Sequence, residues 1–252
     1  MRRKLIAGNW KMNGLKADSL ALAQAVFEKS ANQTNKSFDV LICPPMNVLG
    51  MVAALPHNDV LIGSQDVAET VKPNGAFTGD VSAAMVKDLG ASCAIVGHSE
   101  RRQYHHETDA VVCQKAENAI AAGLIAVICV GETLAEREAG QALDVVQHQI
   151  AESVPANATA QNTVIAYEPV WAIGTGKVPT TDDVAQIHAS IRTKLAEKLG
   201  ADVAENMRIL YGGSVKPENA KELLSVANVD GALIGGASLK ADSFWAIAEA
   251  VM

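Results

Sequence analysis

Eight short apolar runs recur along the chain, and stretches rich in Ala, Glu, Gln, Lys and Leu separate them. None of the runs alternates apolar with polar residues, so each is typical of a β-strand that is covered on both faces, as in a parallel sheet. The runs span residues 5–7, 40–43, 60–63, 93–96, 126–130, 164–167, 209–211 and 232–234. The chain is therefore expected to alternate buried parallel strands with helices.

The stretches between the runs have the composition of helices. They span residues 18–29, 108–122, 141–153, 181–199, 217–224 and 241–251. Two of them begin with recognisable start signals, because Thr181 is a candidate N-cap followed by two aspartates and Pro217 suits a first helical position.

The number and spacing of these units limit the architectures that the chain can form. Eight strand-helix units in 252 residues average about 31 residues each. No linker rich in Pro, Gly or Ser divides them, so we expect a single domain over residues 1–252. The leading architecture is an α/β fold, a single (β/α)8 TIM barrel with a parallel eight-stranded sheet. A doubly wound open sheet is the alternative, because order along the chain does not fix order in space.

Composition and charge exclude several classes of partner. The chain has 21 Lys and Arg against 28 Asp and Glu, a formal net charge of −7, and no long basic cluster, so nucleic acid is not an expected partner. The cysteines form no C-x-x-C pair, which argues against a zinc site or a disulfide framework and favours a cytoplasmic location. No apolar run is long enough for a signal segment or a membrane span, so no membrane association is expected.

The residues that directly follow the apolar runs carry the expected chemistry, because active sites of such folds form where the strands end. Lys11 follows the first run, His98 the fourth and Glu168 the sixth. Each alone is most often a structural residue, but together they place an ammonium, an imidazole and a carboxylate at one rim. That combination suits the removal of a proton next to a carbonyl and the stabilisation of an enediolate. Burial at the rim is expected to raise the pKa of Glu168.

Two pairs of adjacent glycines follow the seventh and eighth runs, Gly212-Gly213 and Gly235-Gly236. One such pair is most often a tight turn. Two pairs at consecutive strand ends indicate a phosphate site, where backbone N–H groups converge on an anion. Because the chain as a whole is acidic, local donors must attract that anion, and Lys11 is the nearest candidate cation.

The segment 169–177 is an apolar loop that contains several glycines, which favours a lid that closes over a ligand and excludes water. The alternative is a loop that packs permanently on the barrel. The segment consists of Pro169, Val170, Trp171, Ala172, Ile173, Gly174, Thr175, Gly176 and Lys177.

Seven motifs between about residues 5 and 245, AGNWKMN, GAFTGD, VGHSERR, CVGET, AYEPVWAIGTGK, YGGSV and DGALIGGASLK, together resemble the triosephosphate isomerase family. The resemblance implies a (β/α)8 barrel that interconverts dihydroxyacetone phosphate and D-glyceraldehyde 3-phosphate in glycolysis and gluconeogenesis, without cofactor or metal. It also implies that Glu168 is the general base that moves a proton between C1 and C2. His98 is similar to the family's neutral imidazole, which polarises the carbonyl as the electrophile.

The same resemblance assigns roles around this pair. Asn9 and Lys11 are expected to bind the substrate, with Lys11 offsetting negative charge, and Glu100 to support Lys11. Trp171 and Glu132 are similarly placed to steady the lid. Backbone contacts to the phosphate are expected at Gly174, Ser214, Gly235 and Gly236.

The chain departs from the family's pattern at the end of the lid, where Lys177-Val178-Pro179 stands in place of the common Lys-X-Ala. Proline has no backbone N–H. By resemblance, Tyr211 bonds that amide when the lid closes, so we expect this bond to be absent or altered here.

The polar segment 65–80 is too long for a simple turn between a strand and a helix. By resemblance it inserts into a second copy of the chain, with Thr78 near that copy's Asn9 and Lys11, so a homodimer is expected. A flexible surface loop is the alternative.

Two other functions compete with isomerisation. Another phosphate-binding barrel enzyme, such as an epimerase or synthase, would share the glycine pairs but not the motifs NWK, GHSERR and YEPVW together. A barrel that only binds a phosphorylated metabolite would be expected to lose Glu168 or His98, and both are present.

Overall fold

The computed structural model describes residues 2–34, 36–173 and 177–252. Eight parallel strands close into a barrel in chain order, and the last strand pairs with the first. The strands are β1 Lys4–Asn9, β2 Phe38–Cys43, β3 Leu61–Ser64, β4 Cys93–Val96, β5 Ile125–Val130, β6 Thr163–Tyr167, β7 Arg208–Tyr211 and β8 Gly231–Ile234. The predicted (β/α)8 barrel is confirmed, and the doubly wound sheet is excluded.

Helices lie between the strands on the outside of the barrel. The α-helices are α1 Lys16–Asn32, α2 Met46–Ala53, α3 Ala83–Asp88, α4 Ser99–His105, α5 Asp109–Ala121, α6 Leu134–Glu138, α7 Ala142–Ser153, α8 Thr181–Leu199, α9 Ala201–Asn206, α10 Pro217–Leu224 and α11 Ala241–Glu249. Short 3-10 turns cover Val170–Ala172 and Gly236–Leu239. None of the helices in the described ranges is both long and apolar enough to cross a membrane.

Local chemistry explains where two of these helices begin. The predicted N-cap of α8 is one residue late: Thr180 Oγ1 accepts the backbone N–H of Asp183 at 3.1 Å, and Asp183 Oδ2 accepts that of Thr180 at 3.1 Å. This reciprocal capping box satisfies two backbone donors at once. Pro217 stands in the first turn of α10 as predicted, where a missing N–H costs nothing.

Side chains alternate between the inside and the outside of the barrel, as the period of a strand requires. On β1, Ile6 packs in the cluster that faces the helices, whereas Leu5 and Ala7 belong to a separate cluster that the strands enclose. Three of the four free cysteines, Cys43, Cys93 and Cys129, are buried in this inner cluster. The filled interior leaves the rim as the place for a site.

Candidate active site

A cavity of about 570 Å³ opens at the rim where the strands end. Because all strands of a parallel barrel end at the same rim, residues far apart in the sequence meet there. The predicted site residues that line the cavity are Asn9, Lys11, His98, Glu168, Ser214, Gly235 and Gly236, together with Gly212 and Gly213.

Glu168 is buried directly after β6, and its carboxylate accepts several hydrogen bonds. One oxygen accepts the backbone N–H of Ser99 at 2.9 Å, and the other lies 2.9 Å from His98 Nε2. Burial raises the pKa of Glu168, but His98, the Ser99 N–H and the charge of Lys11 favour the ionised form, and the pKa is lowered. The expected upward shift is therefore wrong for this arrangement, because the sequence indicates burial but not the donors around the carboxylate.

His98 caps the N-terminus of α4, and this position fixes its proton. The backbone N–H of Glu100 donates to His98 Nδ1 at 3.2 Å, so Nδ1 is an acceptor and Nε2 carries the hydrogen that points at Glu168. Burial lowers the pKa of His98, but the adjacent Glu168 carboxylate outweighs it and raises the pKa. The bond from Glu100 and the contact with Glu168 are both satisfied by a ring that carries its proton on Nε2.

Lys11 is held at the rim by three neighbours, Glu100, Asn9 and Gln65. Its Nζ lies 2.5 Å from Glu100 Oε1, which places the predicted supporting carboxylate as expected. Its backbone adopts a left-handed φ of 51°, and its N–H donates to Asn9 Oδ1 at 3.0 Å. Gln65 Nε2 donates to the carbonyls of Lys11 at 2.8 Å and Cys43 at 2.9 Å. These bonds stabilise a backbone conformation that lysine seldom adopts.

The glycine pairs leave room for neighbouring side chains. A Cβ on Gly213 would lie 2.2 Å from the Tyr211 hydroxyl, and one on Gly235 would lie 3.3 Å from Lys11 Cε. Around a Cβ on Gly236, by contrast, no heavy atom lies within 4 Å. The backbone at the second pair is thus open on the side of the cavity that Lys11 reaches, which suits a phosphate.

Two residues that support the site were not identified from the sequence. Gln65 holds Lys11, and Gly131 lies so close to β6 that a Cβ there would be 1.7 Å from the carbonyl oxygen of Glu168. Gly131 is within the CVGET motif and Gln65 begins the polar segment 65–80, but neither position indicates such a contact without the fold.

Comparison with known proteins agrees with this geometry. A family model described as triosephosphate isomerase matches residues 4–251. The chain belongs to the triosephosphate isomerase family.

Individual members of the family match over nearly the whole chain. The triosephosphate isomerase of Xanthobacter flavus is 55% identical over 251 residues, which covers 99% of this chain and 98% of that protein. That of Bradyrhizobium sp. is 56% identical over 249 residues, 98% of this chain and 97% of its own. The crystal structure of triosephosphate isomerase from Bartonella henselae superposes with a TM-score of 0.90 at 46% identity and covers 99% of both chains.

The structure describes residues 169–173 and residue 177 of the predicted lid of this isomerase-family chain. Trp171 Nε1 donates to Glu132 Oε1 at 2.8 Å, so these two residues are in contact as the resemblance implies. Ser214 Oγ donates to the Ala172 carbonyl at 2.8 Å and joins the segment to the rim. Gly174, Thr175 and Gly176 lie outside the described residues, and with them the expected backbone contact of Gly174.

The hydrogen bond that the resemblance implies between the Tyr211 hydroxyl and the backbone of residue 179 is absent from the part of the chain that the structure describes. Pro179 is buried and offers no N–H. The Tyr211 hydroxyl is also buried, and no group in the described ranges hydrogen bonds to it.

Thr78 lies away from the cavity, in a stretch from residue 71 to residue 80 that is exposed throughout. Its expected contact is with a second copy of this isomerase-family chain. Within residues 2–34, 36–173 and 177–252, no group of three or more His, Cys, Asp and Glu side chains is arranged to hold a metal ion.

Proposed function

We propose that this chain interconverts dihydroxyacetone phosphate and D-glyceraldehyde 3-phosphate through an enediolate, as a single-domain enzyme of glycolysis and gluconeogenesis. The observation that carries the proposal is the approach of Glu168 to within 2.9 Å of the His98 Nε2 donor, on the wall of a cavity that Lys11 also lines. A carboxylate base, a neutral donor and a cation at one rim are the groups that this reaction needs.

Substrate binding places the phosphate at the glycine pairs and the carbonyl oxygen at His98 Nε2. Glu168 then exchanges its bonds to His98 and Ser99 for the substrate carbon. Its carboxylate stays buried but loses donors that favour its charged form, so its pKa rises and it becomes a stronger base.

Glu168 removes a proton from one carbon and returns it to the neighbouring carbon. His98 gives its Nε2 proton to the former carbonyl oxygen and takes the proton of the neighbouring hydroxyl, so that the carbonyl and the hydroxyl exchange places. The negative charge moves onto the substrate oxygen, where His98 Nε2–H donates and Lys11 attracts it. The Glu100 N–H bond to Nδ1 keeps the imidazole in the tautomer that donates from Nε2. Asn9 and Lys11 bind the substrate, while Ser214, Gly235, Gly236 and Gly174 provide the phosphate contacts.

The segment 169–177 covers the bound substrate and excludes water, which strengthens the interactions of His98 and Lys11 with the developing charge. The bond between Trp171 and Glu132 supports this role by anchoring the start of the segment.

The enzyme acts in the cytoplasm as a homodimer, without a nucleic acid or membrane partner. The exposed stretch of residues 71–80, with Thr78 near its end, is the surface that inserts into the second subunit.

A coupled assay with D-glyceraldehyde 3-phosphate tests the function and the base together. The wild type should turn over the substrate, and Glu168→Asp should lower kcat by about 10²- to 10⁴-fold, because the shorter side chain draws the carboxylate away from the substrate carbon. Glu197→Asp, the same change on the exposed face of α8, should leave the rate unchanged.

The outcomes separate the competing functions. Binding of the substrate without turnover in the wild type would favour a barrel that only binds a phosphorylated metabolite. Turnover that survives Glu168→Asp undiminished would refute the assignment of the base.

A further inference from the structure

Arg137 lies on α6, outside the cavity, and contacts both sides of the segment 169–177. Its Nη2 lies 2.8 Å from Asp183 Oδ1, in the first turn of α8. Its guanidinium carbon lies 4.6 Å from the centre of the Trp171 ring. Its Nη1 lies 3.5 Å from Glu132 Oε1. One half-buried side chain therefore joins a residue near the start of the segment to a helix that begins shortly after its end.

The partner on α8 is itself firmly held. Asp183 Oδ2 accepts bonds from the Thr180 backbone at 3.1 Å and from its hydroxyl at 2.7 Å, so Oδ1 is the oxygen that faces Arg137. Burial raises the pKa of Asp183, but the Thr180 bonds and Arg137 outweigh it and lower the pKa. The carboxylate is thus a fixed, charged anchor.

The indole of Trp171 hydrogen bonds to the buried carboxylate of Glu132. Glu132 Oε1 accepts Trp171 Nε1 at 2.8 Å and the Tyr167 hydroxyl at 3.2 Å, while Oε2 has no partner among the described residues. A buried carboxylate with an unsatisfied oxygen is costly unless a positive charge lies near. Arg137 supplies that charge and at the same time covers the face of the indole.

We propose that Arg137 is a positioning residue that fixes the Trp171 indole beside Glu132 by tying it to the capped start of α8. Arg137 touches neither the cavity nor the reacting groups, so it acts on catalysis only through the segment that follows Glu168. This kinetic consequence rests on the proposed function, but the position of the indole does not.

The position of the indole is measured by ¹⁹F NMR on the full chain labelled with 5-fluorotryptophan. The chain has three tryptophans, and Trp171→Phe assigns the signal of Trp171. Arg137→Gln should shift or broaden that signal and leave those of Trp10 and Trp245 in place. Arg137→Lys keeps the charge but loses the planar guanidinium that stacks on the indole. Its Trp171 signal should therefore lie between those of the wild type and Arg137→Gln.

Arg208→Gln is the matched control. Arg208 is also a half-buried arginine, and it pairs with Asp39 Oδ2 at 2.9 Å at the opposite end of the barrel. A general loss of stability would appear in both variants, whereas a shift at Trp171 is expected only from Arg137→Gln.

Kinetics provide the second measurement. Because ligand binding must then also fix the Trp171 indole, Arg137→Gln should raise KM for D-glyceraldehyde 3-phosphate about two- to fivefold, the range expected for a cation–π contact, with a smaller change in kcat. Asp183→Asn should have a similar effect, and the two changes together should not add, because both break the same pair.

An unchanged Trp171 signal in Arg137→Gln, or additive effects of the two changes on that signal, would overturn the proposal. If the wild type shows no turnover, the proposed function fails, while the ¹⁹F spectra still decide whether Arg137 positions the indole.

Discussion

The charge of Glu168 depends on its neighbours more than on its burial. The His98 ring and the Ser99 N–H hold the carboxylate ionised in the unliganded site. In the proposed mechanism a substrate takes their place and removes this effect. In that mechanism the free enzyme holds an ionised base in a buried site, and substrate binding makes it a stronger base. The same exchange frees His98 Nε2 to donate to the substrate.

His188 is a second buried titratable group, and its burial makes the stability of the fold depend on pH. It is fully buried on α8, its Nδ1 lies 3.0 Å from the Asn228 carbonyl, and its ring meets Tyr167 edge-on at 5.8 Å. Burial lowers the pKa of His188 from 6.5 to about 4. Since an unfolded chain protonates this group near its ordinary pKa, the native state is penalised as the pH falls from 6.5 towards 4.

We expect this penalty to remove about 3 kcal/mol of the free energy of unfolding across that pH window. His188→Gln should be less stable at neutral pH but should lack this part of the pH dependence. Urea unfolding of the wild type and His188→Gln between pH 7 and pH 4 measures how the free energy of unfolding of each depends on pH. The protein concentration is kept fixed, because association of chains would also change the apparent stability.

His148→Gln is the control for this prediction, because the His148 side chain on α7 is 69% exposed. Its stability curve should run parallel to that of the wild type. A parallel curve for His188→Gln as well would show that His188 is not kept neutral by burial.

For single residues, the sequence predicts which side chains lie at the site better than it predicts the contacts that those side chains make. The placement of Lys11, His98 and Glu168 after strands was enough to expect them at one rim. The bond from Gln65 to Lys11, and the close approach of Gly131 to Glu168, depend on how neighbouring strands are staggered. The pattern of apolar residues does not indicate the stagger between neighbouring strands. These contacts and the direction of the shift in the Glu168 pKa are therefore known only from the structure.

The strands and the long helices follow from the sequence, whereas all but one of the short helices do not. The helices α2, α3, α4, α6 and α9, which were not predicted, have eight residues or fewer. α10 also has only eight residues, but Pro217 marks its start. An apolar stripe becomes recognisable only over about three turns, so one or two turns leave little periodic signal. These short helices carry functional residues all the same, since α4 begins after His98 and α6 holds Arg137.

The junction between the segment 169–177 and α8 leads to a prediction about Tyr211. Its hydroxyl is buried without a hydrogen bond among the described residues, and Pro179 has no N–H to offer. Removing an unsatisfied buried hydroxyl costs little or stabilises. Tyr211→Phe should therefore change the free energy of unfolding by less than about 0.5 kcal/mol and leave the affinity for a transition-state analogue unchanged.

Pro179→Ala tests the same junction from the other side. It restores a backbone N–H, so closure kinetics and analogue affinity should change, and Tyr211→Phe should then weaken binding in the Pro179→Ala background. A double-mutant cycle measures the coupling between the two positions. Unchanged closure and affinity in Pro179→Ala would show that the proline does not alter the balance between open and closed states.

The whole molecule is acidic, yet its substrate is an anion. At a net charge of −7, the protein repels a phosphate at long range, and screening by salt confines this repulsion to about 10 Å. In the proposed function, local groups therefore provide the binding: the Lys11 ammonium and the backbone around Gly235 and Gly236. The barrel makes this arrangement possible because it brings the ends of β1 and β8 together.

The segment 65–80 combines a fixed base with an exposed tip. The base of segment 65–80 is fixed, since Asn118 Nδ2 donates to three successive carbonyls from Ala68 to Thr70 at 2.9–3.1 Å. The rest of the segment is exposed, with Phe77 at 41%, and beside the site Met12 is 95% exposed. Exposed apolar groups on a firmly anchored projection are typical of a surface that another chain covers.

Thr78→Arg should weaken the proposed dimer, because it places a bulky charge on the part of the projection expected to enter the second subunit. We expect its dissociation constant to rise at least tenfold, the effect of about 1.4 kcal/mol. Activity per chain should fall on dilution, since Lys11 and Asn9 of each chain then lose a neighbour. Sedimentation velocity and the coupled assay over a range of concentrations measure both effects.

Thr193→Arg, the same change on the exposed face of α8, should leave both the dissociation constant and the activity per chain unaltered. A wild-type chain that sediments as a monomer at full activity would refute the dimer and the role of Thr78.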